Sequence, residues 1–253
     1  MKQLLILLIL IFYVAVLRGT ERIGVPGGIG DGDSLLPFGL QTLGVDSVRY
    51  QQVYSADPFA IVSSSGLWIL EIRFVDQVGF RFAEIPMFQI NLSTTLRGLD
   101  ELSSNFSENV GPDETVAFGP GSHFFVRSSQ ETFGTSLPLN QPFFFNPSEG
   151  NLLLDIRNYS PEISEVPPFD YWRPHRTADQ LGDGVSSVYA LDVNATMGTT
   201  DTEGLLTLFV VQVPEPSTWA LFILAGILVV YFRLPKKAKA TVHNKRDHHP
   251  VKP

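Results

Sequence analysis

Apolar and polar residues alternate one by one along several stretches of this chain, the pattern of strands with one face buried. In Leu67–Val75, Trp68, Leu70, Ile72 and Phe74 share the parity expected to face a core, with Glu71 and Arg73 opposite. In Met87–Thr94, Phe88, Ile90 and Leu92 alternate with Gln89, Asn91 and Ser93. Asn151–Arg157 sets Leu152, Leu154 and Ile156 against Leu153, Asp155 and Arg157, and Ser187–Asn194 sets Tyr189, Leu191 and Val193 against Ala190, Asp192 and Asn194. Val48–Tyr54, Thr115–Gly119, Ser122–Ser128 and Leu205–Val213 complete eight candidate strands. Gly111-Pro112-Asp113, Gly119-Pro120-Gly121 and Asn146-Pro147 supply turns between them. One short helix is predicted over Arg97–Phe106, where Leu99, Leu102 and Phe106 fall near helical spacing. A parallel sheet needs crossover helices, for which there is no pattern. The expectation for residues 20–213 is therefore an all-β fold, an antiparallel β-sandwich of the jelly-roll kind.

Two unbroken apolar runs flank this body. Residues 1–19 read as a secretory signal peptide: Lys2, then the 14 apolar residues Leu4 to Leu17, then Arg18-Gly19. At the other end, residues 214–235 hold a second 14-residue apolar run, Trp219 to Phe232. As a helix it would span about 21 Å, short against a hydrocarbon core of about 30 Å. A buried core helix is the competing reading. Trp219 and Tyr231 at its edges and the basic cluster after it favour a single transmembrane helix.

Charge sharpens that division. Residues 20–213 carry nine arginines, no lysine and 24 acids, a net charge of −15. From Arg233 onward there are seven bases and one acid, and residues 236–253 form a basic tail. Basic residues stay on the cytoplasmic side, which puts the acidic body outside. So acidic a body disfavours nucleic acid and anionic membrane surfaces as partners. With 44% apolar residues and 19 Phe the chain has material for a core, which excludes a disordered protein. The absence of cysteine excludes disulfides, zinc–thiolate sites and a cysteine nucleophile.

Val213-Pro214-Glu215-Pro216-Ser217-Thr218, the apolar run and then Arg233 resemble the PEP-CTERM sorting signal of Gram-negative bacteria. The resemblance implies an exported protein whose C-terminal helix is recognised in the inner membrane by an exosortase, a cysteine peptidase-like sorting enzyme. The sorting-signal residues are then Pro214, Glu215, Pro216, Ser217 and Arg233. It also implies release to the envelope or extracellular matrix, and a link to exopolysaccharide or biofilm. The family usually ends a few residues after its arginines, whereas 20 residues follow Arg233 here. Arg49-Tyr50-Gln51-Gln52-Val53-Tyr54 and Gly150-Asn151-Leu152-Leu153-Leu154-Asp155-Ile156 also resemble segments that recur among such exported bodies; they carry no known activity.

Catalytic motifs are missing: there is no G-x-S-x-G, H-E-x-x-H, P-loop or EF-hand consensus. Of the two body histidines, His123 lies in a candidate strand and His175 in a loop, and neither is assigned a catalytic role. A glycosidase needs two carboxylates about 5–10 Å apart, and 24 acids offer no means of choosing a pair. No enzyme activity and no metal site is expected, although Asp31-Gly32-Asp33 and Asp183-Gly184 offer oxygens to a structural Ca²⁺. Turn geometry accounts for the same residues. The 27 residues Asn158–Gly184 show no strand pattern and contain Phe169-Asp170-Tyr171-Trp172-Arg173. Tyr171 and Trp172 are the candidate ligand platform, since aromatic faces with polar neighbours suit a sugar. The competing reading is that Trp172 closes one end of the sandwich. Four sequons, at Asn91, Asn105, Asn158 and Asn194, carry no meaning in a bacterial protein. The sequence thus reads as an exported structural or interaction protein. A carbohydrate-binding module is the alternative, and a polysaccharide hydrolase a more distant one.

Overall fold

The structure is a computed structural model that describes residues 19–26, 32–74, 82–126, 136–161, 175–178 and 183–214, together with Gly226. The chain divides into two compact units, Met1–Pro214 and Glu215–Pro253, and nearly everything described belongs to the first. In chain order its strands are β1 (Glu21–Val25), β2 (Gly32–Ser34), β3 (Val48–Tyr54), β4 (Leu67–Phe74), β5 (Phe82–Thr95), β6 (Thr115–Val126), β7 (Ser136–Phe145), β8 (Asn151–Asn158), β9 (His175–Ala178), β10 (Val185–Ala190), β11 (Thr199–Asp201), β12 (Gly204–Leu205) and β13 (Thr207–Gln212). Two short helices, α1 (Leu40–Leu43) and α2 (Asp57–Val62), lie between the early strands. The first ends on Gly44 in the left-handed conformation (φ 69°), and the second starts with Asp57 and Pro58, residues suited to a first turn.

Among the described residues every strand pairing is antiparallel, and the fold is β-sandwich-like and all-β. One sheet has the order β1-β13-β4-β7, a second β11-β10-β3-β8-β5-β6, and a third, smaller one β12-β9-β2. Four pairs are nested along the chain: β5 with β6, β4 with β7, β3 with β8, and β1 with β13. Successive pairs fall alternately in the second and first sheets. Strands β9 to β12 are inserted between β8 and β13, and two of them, β10 and β11, widen the second sheet beyond β3.

Alternation places the core. Tyr54, Phe88, Ile90, Leu92, Leu152, Leu154 and Ile156 from the second sheet meet Ile69, Ile72, Phe74, Phe145 and Phe209 from the first in one buried cluster. Full burial of each aliphatic side chain contributes about 1.5–3 kcal/mol. Phe38, just before α1, packs on Phe74 and Phe88, and Phe59, within α2, packs on Phe145 and Phe209. The outer face of the second sheet carries the odd-numbered residues of β3 and β8 and the even-numbered residues of β10. There Val53, Leu153 and Val188 form a second cluster with Leu102 and Phe106, supplied by the segment that follows β5.

Several expectations are corrected. Leu70 is an extra residue in β4, opposite the step from Val210 to Val211, so the parity of the strand changes there. Leu67 and Ile69 point inward, and Trp68 is 41% exposed instead of facing the core. The predicted helix over Arg97–Phe106 is absent; a single 3-10 turn covers Phe106–Glu108. Asp100 has φ 60°, and the amides of Asp100, Ser103 and Asn105 are taken by Ser186, Asn109 and Ser103 side chains, which compete with helical bonds. Thr115–Gly119 and Ser122–Val126 belong to one strand, β6, with Gly119 at positive φ between them, and Arg127 and Ser128 lie outside the described residues. Strand β7 went unpredicted because of Pro138 and Pro142; it lies at a sheet edge, where a missing N–H is tolerated. A strand, β9, also lies within Asn158–Gly184. Among the described residues no helix is long and apolar enough to cross a membrane. The run expected to do so, Trp219 to Phe232, lies outside them apart from Gly226.

Candidate functional site

The strongest candidate site is a cleft of about 270 Å³ lined by residues of β3, β10 and β11 in the second sheet and by the segment from β2 through α1. Its floor is made by cross-strand neighbours. Tyr50 of β3 stands directly opposite Tyr189 of β10, and Ser187 of β10 opposite Asp201 of β11. One wall is apolar, formed by Leu35, Leu36 and Leu43 from the segment that leads from β2 through α1. Glu203, in the short connection from β11 to β12, joins Asp201 on the polar side.

The floor is held rigidly from below. Gln52, fully buried, donates its amide to the Leu205 carbonyl (2.9 Å) and accepts the Leu205 N–H (2.7 Å), so a side chain completes a strand-like pair. Its Oε1 also accepts the Tyr50 hydroxyl (2.7 Å). The Ser187 hydroxyl donates to the Glu203 carbonyl (2.6 Å), and Asp201 Oδ1 accepts the Glu203 N–H (3.1 Å). These bonds pin the connection that carries both acids. Burial pushes the Tyr50 phenol well above its usual range, and the negative charges of Glu203 and Asp201 push it further. Tyr50 is therefore a neutral hydroxyl at any physiological pH.

A second exposed feature lies on the outer face of the first sheet. Gln212, Trp68 and Phe144 form one cross-strand row over β13, β4 and β7. The Trp68 and Phe144 rings meet at 5.2 Å and 60°, and both are about 40% exposed. The Phe144 ring packs over Gly66, where a Cβ would lie 2.4 Å from it.

Elsewhere polar groups serve the fold. On the covered outer face of the second sheet, Asp155 is 2% exposed and pairs with Arg49 (2.7 Å), while Gln51 donates to the same carboxylate (2.9 Å). Asn109 donates to Gln51 Oε1, and the Arg49 guanidinium lies 4.5 Å from the centre of the Phe106 ring. The two segments that resemble recurrent ones, around Arg49–Tyr54 and Gly150–Ile156, are thus the paired strands β3 and β8 that share this network. His123 is half-buried against Phe88 and Phe118, its Nε2 is 3.1 Å from the Ser136 carbonyl, and burial lowers its pKa.

Of the residues singled out from sequence, Pro214 is the last residue of the described body. Glu215, Pro216, Ser217 and Arg233 lie outside the described residues, as do Tyr171 and Trp172. Asp31 is outside them too, while Asp183 accepts the Val185 N–H (3.1 Å) in a turn. Among the described residues no group of three or more His, Asp or Glu is placed to hold a metal ion. His175 is in β9, opposite Ser34. Two sequon asparagines, Asn91 and Asn158, are buried, and Asn158 donates to the Pro37 carbonyl. None of the cleft residues was picked out by motif. The available signal was the polar parity of β3 and β10, where Tyr50, Gln52, Ser187 and Tyr189 occupy inward positions that other strands fill with Leu, Ile and Phe.

Comparison with protein-family models finds no match, and comparison with curated proteins finds none either.

Proposed function

We propose that the chain is an exported protein, sorted through a PEP-CTERM-type signal at residues 214–235 and delivered to the envelope or extracellular matrix. There its body acts as a structural or interaction module associated with exopolysaccharide. In this reading residues 1–19 are the signal peptide, the apolar run Trp219 to Phe232 is held in the inner membrane, and an exosortase is the transient partner. The body is a jelly roll. Support for that comes from the four nested strand pairs, which are those of a long antiparallel hairpin rolled up on itself, first strand beside last.

The observation that carries the proposal is where the body stops. Its last strand ends at Gln212, its compact unit ends at Pro214, and Glu215-Pro216 follows at once. A sorting motif that starts in the sequence where the last strand has ended is what this reading expects, and Pro214 follows Gln212 by two residues. The test is fractionation of the native host producing the wild type or a variant with Glu215→Ala and Pro216→Ala. The wild type is expected in the extracellular or outer-envelope fraction and the variant in the inner membrane. Identical distribution of the two would overturn the proposal.

A further inference from the structure

The cleft beside Tyr50 and Tyr189 has a composition that selects its ligand. Its volume of about 270 Å³ is far above what one water needs, roughly 10–15 Å³. It falls just short of the range of about 300–1,000 Å³ for small-molecule sites, which suits one ring-sized unit. One side is hydrocarbon, from Leu35, Leu36 and the 40%-exposed Leu43; the other presents hydroxyl and carboxylate oxygens. A lipid chain would leave the polar side unmatched. Its described lining contains two carboxylates and no base, so a phosphate or uronate would meet repulsion. A sugar ring has what remains: an apolar C–H face and a rim of hydroxyls. Each ionised carboxylate has about four acceptor positions, so an internal bond still leaves capacity to accept from a sugar.

We propose that this cleft binds one neutral sugar residue, with its C–H face against Tyr189 and the leucine wall and its hydroxyls donating to Asp201 and Glu203. Gln52 is a positioning residue that holds Tyr50 and, through Leu205, the connection bearing the acids. That the sugar belongs to a matrix polysaccharide rests on the export reading above; the binding itself does not.

The test is calorimetric titration of the full-length chain, purified in a detergent without a sugar headgroup. The probes are neutral oligosaccharides of glucose, galactose, mannose, xylose and N-acetylglucosamine, with oligogalacturonate as the anionic probe. At least one neutral probe is expected to bind. Asp201→Asn, an exposed substitution, and Tyr189→Ala should each weaken it at least tenfold, while Trp68→Ala, on the other sheet, leaves it unchanged. Melting curves of Asp201→Asn should match the wild type, which separates lost binding from lost folding. Binding of no neutral probe, binding indifferent to Asp201→Asn, or tighter binding of oligogalacturonate would each overturn the proposal. None of these results depends on sorting, which the fractionation of the host reads separately.

Discussion

At the scale of single residues, burial decides which polar contacts matter. Asp155 and Arg49 form an ion pair almost without solvent, with side-chain exposures of 2% and 14%. Removing one partner strands the other charge, and Asp155→Ala should destabilise the body by about 3–5 kcal/mol. The Arg97–Glu108 pair, 38% and 52% exposed, is screened by water, and Glu108→Ala should cost under about 1 kcal/mol. Urea unfolding of both variants checks the contrast; equal losses would contradict it. Tyr50 and Tyr54 give the body an alkaline limit. Burial raises both phenols above their ordinary value of 10.0, so the unfolded chain ionises first. Their contribution is present in full below about pH 10 and is lost as pH rises beyond it, by about 1.4 kcal/mol per unit for each tyrosine. Melting temperature should be flat to about pH 9 and fall above about pH 10. The fall should be shallower in Tyr54→Phe, and an unchanged slope would exclude Tyr54 as its source.

At the scale of elements, irregular points carry as much information as regular ones. Strand β6 contains Gly119, whose φ of 76° and a would-be Cβ 2.3 Å from the Phe88 carbonyl oxygen leave room for glycine alone. Gly119→Ala should cost about 1–3 kcal/mol, while Gly121→Ala, with nothing within 4 Å, should be nearly neutral. Thermal melts of the two variants test this directly. The inner faces of β5 and β8 were legible in the sequence because Phe88, Ile90, Leu92, Leu152, Leu154 and Ile156 alternate without interruption. Trp68 was misread because the bulge at Leu70 changes parity without any local signal in the residue types. Strand β7 was hidden by Pro138 and Pro142, which forbid a central strand and permit an edge one. The spacing of Leu102 and Phe106 did report a buried side, but the buried surface belongs to a loop lying on the second sheet.

At the scale of the molecule, sequence and structure divide the account between them. The antiparallel all-β class followed from alternation and the lack of crossover helices. The cleft did not, because it depends on β10 pairing with β3, about 140 residues earlier in the chain at Tyr189 and Tyr50, and on β11 extending that sheet. Tyr50, Tyr189 and Asp201 look like ordinary strand and turn residues until that pairing places them together. The ends of the chain are the reverse case: the export reading there rests on the sequence alone, on the apolar start and on Pro214-Glu215-Pro216. The central claim is that this body is exported and cut free near that motif. Intact mass spectrometry of the chain recovered from its native host tests it most directly. The account predicts a species that has lost the N-terminal leader and everything after about Pro216. A chain that retains its basic tail through Pro253 and remains in the inner membrane would contradict it.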